Sequence, residues 1–404
     1  MSTNISGDAN RARTDFWLIL LLAAVTAIGP FAMHALAPAL PLVAKEFDVP
    51  AAAAQLMLSL SLVAMAISNL IWGPLSDRLG RRPVLIVGLI LGSIGSALTA
   101  IAPDLTFAIL GRLLQAAGAA AGMVLARAIA QDIYGREQAA AVIGQVTGVM
   151  VAAPMVAPTI SGLVIEATDW RGVFWMNVGL CALLAIWASA RLGESAPEGQ
   201  RGATPVQMLQ GFAEIARNRT FWRYAGFAAF SLSGFYYFVA IAPYVMRDAF
   251  GQGAAAYGLY FMVLSATYMF TNFIAGRIMA RFGGERVMVF GACLTLVGPV
   301  IVTTLLLSGI HHPLVLFLPG MIQSFGAGLA APNSMAGAVA SAPERAGAAS
   351  GLLGFSQFLI ASLFTQLAGF LPHDNALVVP LGMGASLLIG VLFLFVLRGG
   401  DRRV

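Results

Sequence analysis

Few side chains in this 404-residue chain can move a proton, hold a metal or attack a bond, so the position of each one matters. The chain has 4 histidines, 2 cysteines and 18 Asp and Glu residues. His34 stands in an apolar stretch, Ala32-Met33-His34-Ala35, whereas His311, His312 and His373 fall in connecting segments. Arg112 is also set among apolar neighbours, and Gln115, three residues on, shares its face of a helix. Cys181 and Cys293 lie in different apolar runs. Two such thiols make neither a disulfide framework nor a metal site, and they read as small apolar packing residues. No acid/base pair, no metal-ligand cluster and no Gly-x4-Gly-Lys-Ser/Thr nucleotide loop is present in the sequence. The remaining inventory is an imidazole that titrates near neutral pH, a permanent cation and some neutral hydrogen-bonding groups. An enzyme and a bound cofactor are therefore not expected.

These groups must be positioned by elements that suit lipid. Apolar residues make up 59% of the chain and charged residues 10%, and the mean hydropathy is +0.84. A water-facing globular surface cannot be built from that composition. Runs of roughly twenty apolar residues recur, each long enough as a helix to cross a hydrocarbon core about 30 Å thick. The spacing predicts twelve spans, starting near Phe16, Ala53, Pro83, Leu105, Gln138, Gly172, Phe221, Ala254, Arg286, Pro313, Arg345 and Ala376. Alternating ten-residue segments are absent, which favours helices over a barrel. Of the 23 Lys and Arg residues, 19 fall in the N-terminus, the even-to-odd loops or the C-terminus. Only Lys45, Arg171 and Arg247 lie on the other side, and Arg112 lies well inside a span. This asymmetry places both termini and the basic loops in the cytoplasm. The charge of +5 is spread over separate loops rather than one soluble face, so a nucleic-acid partner is not expected. Arg11 and Arg13 precede the first span, but no convincing cleavage site follows it, and it reads as a true helix.

The longest non-apolar stretch, Leu192 to Thr220, contains Pro197, Gly199, Gly202 and Pro205 with Arg201, Arg217 and Arg219. It divides the chain into a six-helix half at 1–192, a cytoplasmic linker at 193–220 and a second six-helix half at 221–404. Leu209, Phe212, Ile215 and Ala216 recur at helical spacing, which predicts a short helix lying on the membrane surface. An internal repeat supports the division. Gly73 to Gly80 and Val84 to Gly88 align without a gap on Gly276 to Gly283 and Val287 to Gly291. In the fourth and tenth spans, Gln115, Gly118 and Ala119 match Gln323, Gly326 and Ala327. In the fifth and eleventh, Gly144 and Gly162 match Gly351 and Gly369.

Two local patterns carry further physics. The loop after the second span reads Gly73-Pro-Leu-Ser-Asp77-Arg78-Leu-Gly80-Arg81-Arg82-Pro83. Its glycines permit a tight turn, and one carboxylate among three guanidiniums can form a conditional ion-pair cluster. The fifth span carries Pro154, Pro158 and Gly162, which bend a helix and let another approach closely.

On these motifs the chain resembles the major facilitator superfamily, and within it the twelve-span drug/proton antiporters, most closely the Bcr/CflA group. Supporting stretches are Pro38-Ala-Leu-Pro41, Arg112-Leu-Leu-Gln115-Ala-Ala-Gly118, Ala157-Pro158, Ala242-Pro243, Ala331-Pro332-Asn333 and Ala346-Gly-Ala-Ala-Ser350-Gly. The resemblance implies an all-α integral membrane fold of two pseudo-symmetric halves in a bacterial inner membrane. It also implies a monomer that exports small drug-like compounds against inward proton movement. By the same resemblance, Asp77 caps a helix of the other half when the cytoplasmic side is closed, with Arg81 and Asp132 completing the cluster. Arg112 is implied to support proton transfer or cavity electrostatics, and the Pro154–Pro158–Gly162 segment to seal the periplasmic side.

The chain departs from this pattern in its first span, where His34 stands at the position of the relatives' usual Asp and no carboxylate lies near the middle of any span. Three roles for His34 stay open: carrying the coupling proton, binding substrate while neutral, or polar packing. Gln115 is either a ligand or a helix-to-helix hydrogen bond. A cavity is expected from Met33, His34, Arg112 and Gln115 with the aromatic run Tyr236, Tyr237 and Phe238, and with Tyr268 and Asn272 at i, i+4 spacing. Transport of a metabolite or organic anion without proton coupling is the rival expectation, because the usual acid is missing.

Overall fold

The structure, a computed structural model, describes residues 5–196 and 205–397. Pro197, Gly199, Arg201 and Gly202 of the linker lie outside the described residues, as does the side chain of Leu209. Among the described residues there is no strand. Twelve helical spans among the described residues are long and apolar enough to cross a membrane. The first six are Phe16–Glu46, Ala51–Leu79, Arg81–Ala100, Leu105–Gly135, Val142–Ala167 and Trp170–Arg191. The second six are Arg219–Asp248, Ala254–Phe282, Gly284–Leu307, Leu314–Ala340, Gly347–Ala368 and Val378–Val396. Their starts fall within four residues of those expected from hydropathy, the widest gap being Gln138 against Val142.

Two spans carry local departures from a plain helix near their ends. The first passes through Pro38 as a short 3-10 turn, Ala37–Ala39, and resumes at Leu40–Glu46. Proline removes one N–H but permits helical φ, so the helix changes pitch here instead of stopping. The fourth span continues to Gly135, whose φ of 65° and ψ of 174° turn the chain straight into the fifth. Arg127 consequently lies inside the fourth span, so Arg112 is not the lone intramembrane cation. Arg223, one turn into the seventh span, is 1% exposed. Cys181 is buried in the sixth span as expected, but Cys293 is exposed on the ninth, so it is not a core residue.

Helix packing explains why small residues recur at the aligned positions. A Cβ on Gly118 would lie 2.4 Å from the carbonyl oxygen of Gly88, clamping the fourth span on the third. On Gly326 it would lie 2.6 Å from the carbonyl oxygen of Gly291, clamping the tenth span on the ninth. With apolar side chains equally at home in lipid, such backbone contact is a main source of helix association. The helix Pro205–Ile215 packs on the bundle as well as following the apolar spacing. Ile215 is buried beside Phe221, Ala225, Ala338 and Leu353, and Glu214 pairs with Arg345 at 2.7 Å.

Candidate functional site

The ionisable groups placed inside spans by the sequence come together at one depth of the bundle. Arg112 is 0% exposed, and its Nη1 donates to Gln115 Oε1 within the fourth span. Its Nη2 reaches Met33 Sδ of the first span at 3.5 Å, and the guanidinium lies 5.8 Å from the centre of the Phe174 ring of the sixth. No carboxylate approaches it, so a permanent charge is balanced by an amide, a thioether and a ring face. A guanidinium at the centre of a span costs about 2.5–3.5 kcal/mol on insertion scales, which makes a purely structural use expensive.

His34 follows Met33 and is 2% exposed. Its Nδ1 lies 2.7 Å from the carbonyl oxygen of Pro30. A carbonyl can only accept, so Nδ1 carries the hydrogen and neutral His34 presents Nε2 as an acceptor. The ring is surrounded by Phe235, Tyr236 and Phe261, with centroids at 5.3, 5.6 and 6.3 Å. His34 Nε2, Arg112 Nε and Gln115 Nε2 are all buried without a hydrogen-bond partner. Unpartnered buried polar atoms are costly, and this cluster brings three of them together.

The aromatic run of the seventh span is divided among three surfaces. Tyr236 faces His34. Tyr237 points away from the cluster, donating to the Val378 carbonyl oxygen of the twelfth span at 2.7 Å and packing on Gly382. Phe238 stacks on Phe261 at 6.3 Å and meets Phe317 edge-on at 5.8 Å, extending the wall toward the eighth and tenth spans. Asn272 donates to the backbone carbonyl of Tyr268 at 2.8 Å, within its own helix, and neither residue joins the His34 and Arg112 cluster. A period of 3.6 separates consecutive residues by about 100°, which is why one run serves three neighbours.

The bundle end away from the basic loops is tied across the two groups of six spans. Gln55 donates to the Ala240 carbonyl at 2.6 Å, and Arg247 to the Pro41 carbonyl at 3.0 Å. Gln366 accepts from Ser59 at 2.7 Å and donates to the Ala52 carbonyl at 2.8 Å. The fifth span also contacts the second group of six. Thr159 donates to the Gly258 carbonyl at 2.9 Å, and a Cβ on Gly162 would lie 2.7 Å from Ala255 Cα. Pro154 and Pro158 both sit inside that helix, with Pro158 buried against Gly258. Gly144 and Gly148, toward the basic end of the same span, are exposed, and a Cβ on either would meet nothing within 4 Å.

At the basic end the Gly73–Pro83 loop is organised by Arg81. Its guanidinium pairs with Asp77 at 2.5 Å and with Asp132 at 3.0 Å, and donates to Ser76 at 2.6 Å. Gly80 has a φ of 95°, which a side chain would resist, and a Cβ there would also strike Glu194. Arg82 donates to the Ser189 carbonyl at 2.7 Å, while Arg78 is exposed. Sequence reasoning passed over Glu194. Burial works against its charge, but backbone N–H groups of Ala196, Arg81, Ser195 and Arg82 outweigh it and hold the carboxyl below its ordinary value. Two of those donors begin the third span, so Glu194 caps that helix from the far end of the sixth. Gln55 and Gln366 were also missed, although a glutamine in an apolar span is a usable signal.

Comparison with known proteins fits this geometry. The chain is 28% identical over 393 residues to a bicyclomycin resistance protein homolog of Haemophilus influenzae, covering 95% of this chain and 96% of that one. It is 26% identical over 358 residues to multidrug resistance protein D of Escherichia coli, covering 89% and 90%. Its fold is shared with the xylose transporter XylE of E. coli, solved in a partially occluded inward-open conformation, at a TM-score of 0.72 and 14% identity, over 94% of this chain and 97% of that one. The family model for the Major Facilitator Superfamily matches residues 20–365 and 228–403, and the chain belongs to that family of membrane transporters.

Proposed function

We propose that this transporter exports small, drug-like organic molecules across a bacterial inner membrane by alternating access, with protons moving inward as substrate leaves. The observation that carries this reading is the cluster of His34, Arg112 and Gln115, which holds unpartnered polar atoms against an aromatic wall from the seventh and eighth spans. Aromatic surface with few, placed hydrogen-bonding groups suits amphipathic solutes. Relatives named for resistance to bicyclomycin and to multiple drugs support the substrate range.

The working parts follow from this reading. Residues 1–192 and 221–404 act as two rocking halves of a monomer, joined by 193–220, with both termini cytoplasmic. His34 carries the coupling proton, and Arg112 biases it electrostatically. The Pro154, Pro158 and Gly162 segment, with Gln55 and Gln366, seals the periplasmic side. Asp77, Arg81 and Asp132 are the cytoplasmic gate, and Asp77 exchanges its partner within the loop for the eleventh span when that side closes. Contacts made in one conformation only are what bias such an equilibrium.

The test is efflux from reconstituted vesicles under imposed gradients between about pH 5.5 and about pH 8, the range over which an imidazole changes charge. Efflux should rise with a gradient that is acid on the periplasmic side, and His34→Gln should remove that dependence. Efflux indifferent to the gradient would refute proton coupling. A growth panel of antibiotics with and without the protein identifies the compounds to use.

A further inference from the structure

The charge balance around Arg112 goes further than the general export reading, on which it rests. Nη1 and Nη2 of Arg112 meet a neutral amide oxygen and a thioether, Nε has no partner, and no carboxylate of the described residues pairs with the group. The free amide nitrogen of Gln115 adds further donors beside it. Two unpartnered donors beside a buried positive charge with no counter-ion leave a site that is short of one anion.

Arg127 repeats the pattern on the same helix. It lies in the fourth span, half-buried, and forms no ion pair or hydrogen bond among the described residues. Fifteen residues of helix put it roughly 22 Å farther toward the basic end and about 60° around from Arg112, within one sector of the helix surface. Met123, one turn before it, packs on Gly29 of the first span, so this sector looks inward, not to lipid. The other deeply buried cation, Arg223, is treated differently: it pairs with Glu285 at 2.6 Å.

We infer that the substrate is an amphipathic organic anion, its acidic head held by Arg112 and Gln115, a hydroxyl or N–H donated to His34 Nε2, and its apolar body on Tyr236 and Phe261. Arg127 draws the anion in from the basic end. Exit of an anion from a negatively charged interior is favoured by the membrane potential itself. The absence of a membrane-embedded carboxylate then has a physical reason. A carboxylate beside Arg112 would neutralise the site, and the outward movement of negative charge adds to the drive that proton entry supplies.

The experiment uses the full-length protein in proteoliposomes loaded in turn with naphthalenesulfonate, naphthyltrimethylammonium and naphthyl glucoside, one ring system carrying three charges. A potassium diffusion potential set with valinomycin makes the interior negative. Naphthalenesulfonate should leave at least about tenfold faster than the cation, the scale on which an unpaired buried charge discriminates. Its distribution should follow the potential, roughly fiftyfold per elementary charge at 100 mV. Arg112→Gln should reduce anion efflux about tenfold, with Arg112→Lys retaining most of it and Arg127→Gln giving a several-fold loss. Preference for the cation or the glucoside, or undiminished anion efflux in Arg112→Gln, overturns the inference while leaving export in place. Movement of none of the three also overturns it, whereas the export reading falls only if the growth panel shows no protection either.

Discussion

The two halves proposed for this transporter are packed alike and equipped differently. At the aligned glycines, Gly118 on Gly88 and Gly326 on Gly291, the same backbone contact joins corresponding spans. Chemistry does not follow the packing. Where the first half has Arg112, the offset that aligns Gln115 with Gln323 gives Gly320; where it has Asp77 and Arg81, the second has Ala280 and Gly284. The second half supplies rings instead: Phe235, Tyr236, Phe238, Phe261 and Phe317. Each half also buries a guanidinium, and the comparison is sharpest there. Arg223 has Glu285 as a counter-charge, as a structural cation must, and Arg112 has none. On this proposal the two halves share their helix contacts and differ in their ionisable side chains.

The packing side of the comparison is broken most severely at the glycines. Gly118→Val and Gly326→Val each force a side chain into a backbone, so each should destabilise the protein by about 3 kcal/mol, the upper range for overpacking. Thermal unfolding in detergent should show similar losses for the two. A large loss in one and none in the other would mean that the halves are not clamped in the same way.

A smaller effect is expected at Glu194, which has no counterpart cap from the second half among the described contacts. Its folded-state pKa is depressed by backbone donors that outweigh burial. The stabilisation is therefore present above the ordinary Glu value of about 4.3 and is lost as pH falls through the lower folded value. Glu194→Gln should lower stability at neutral pH by about 1 kcal/mol, as for loss of a charged helix cap. Unfolding measured from neutral pH down to pH 3 should show a weaker acid dependence in the variant. An unchanged acid limb would remove Glu194 from the loop network.

The fold was legible because its signals are long. Twenty-residue apolar runs do not depend on tertiary detail. The Arg112 and Gln115 pair was legible too, since i, i+3 spacing fixes a shared face. What was not legible depended on rotation or distance. Hydropathy cannot tell that Tyr237 turns to Val378 while Tyr236 turns to His34, because one residue's rotation separates them. Glu194 lies more than a hundred residues from the helix it caps, and Arg127 looked like a loop residue until the fourth span was seen to reach Gly135.

The most direct test compares one buried polar position from each of the corresponding fourth and tenth spans in one assay. Substrate efflux from proteoliposomes would be measured for Arg112→Gln, which removes the uncompensated charge, and for Gln323→Leu, which alters the matching helix of the second half. If ionisable chemistry belongs to the first half, Arg112→Gln should lose at least about tenfold in rate and Gln323→Leu should stay within about twofold of the parent. Equal losses in both, or an active Arg112→Gln beside an inactive Gln323→Leu, would contradict the account.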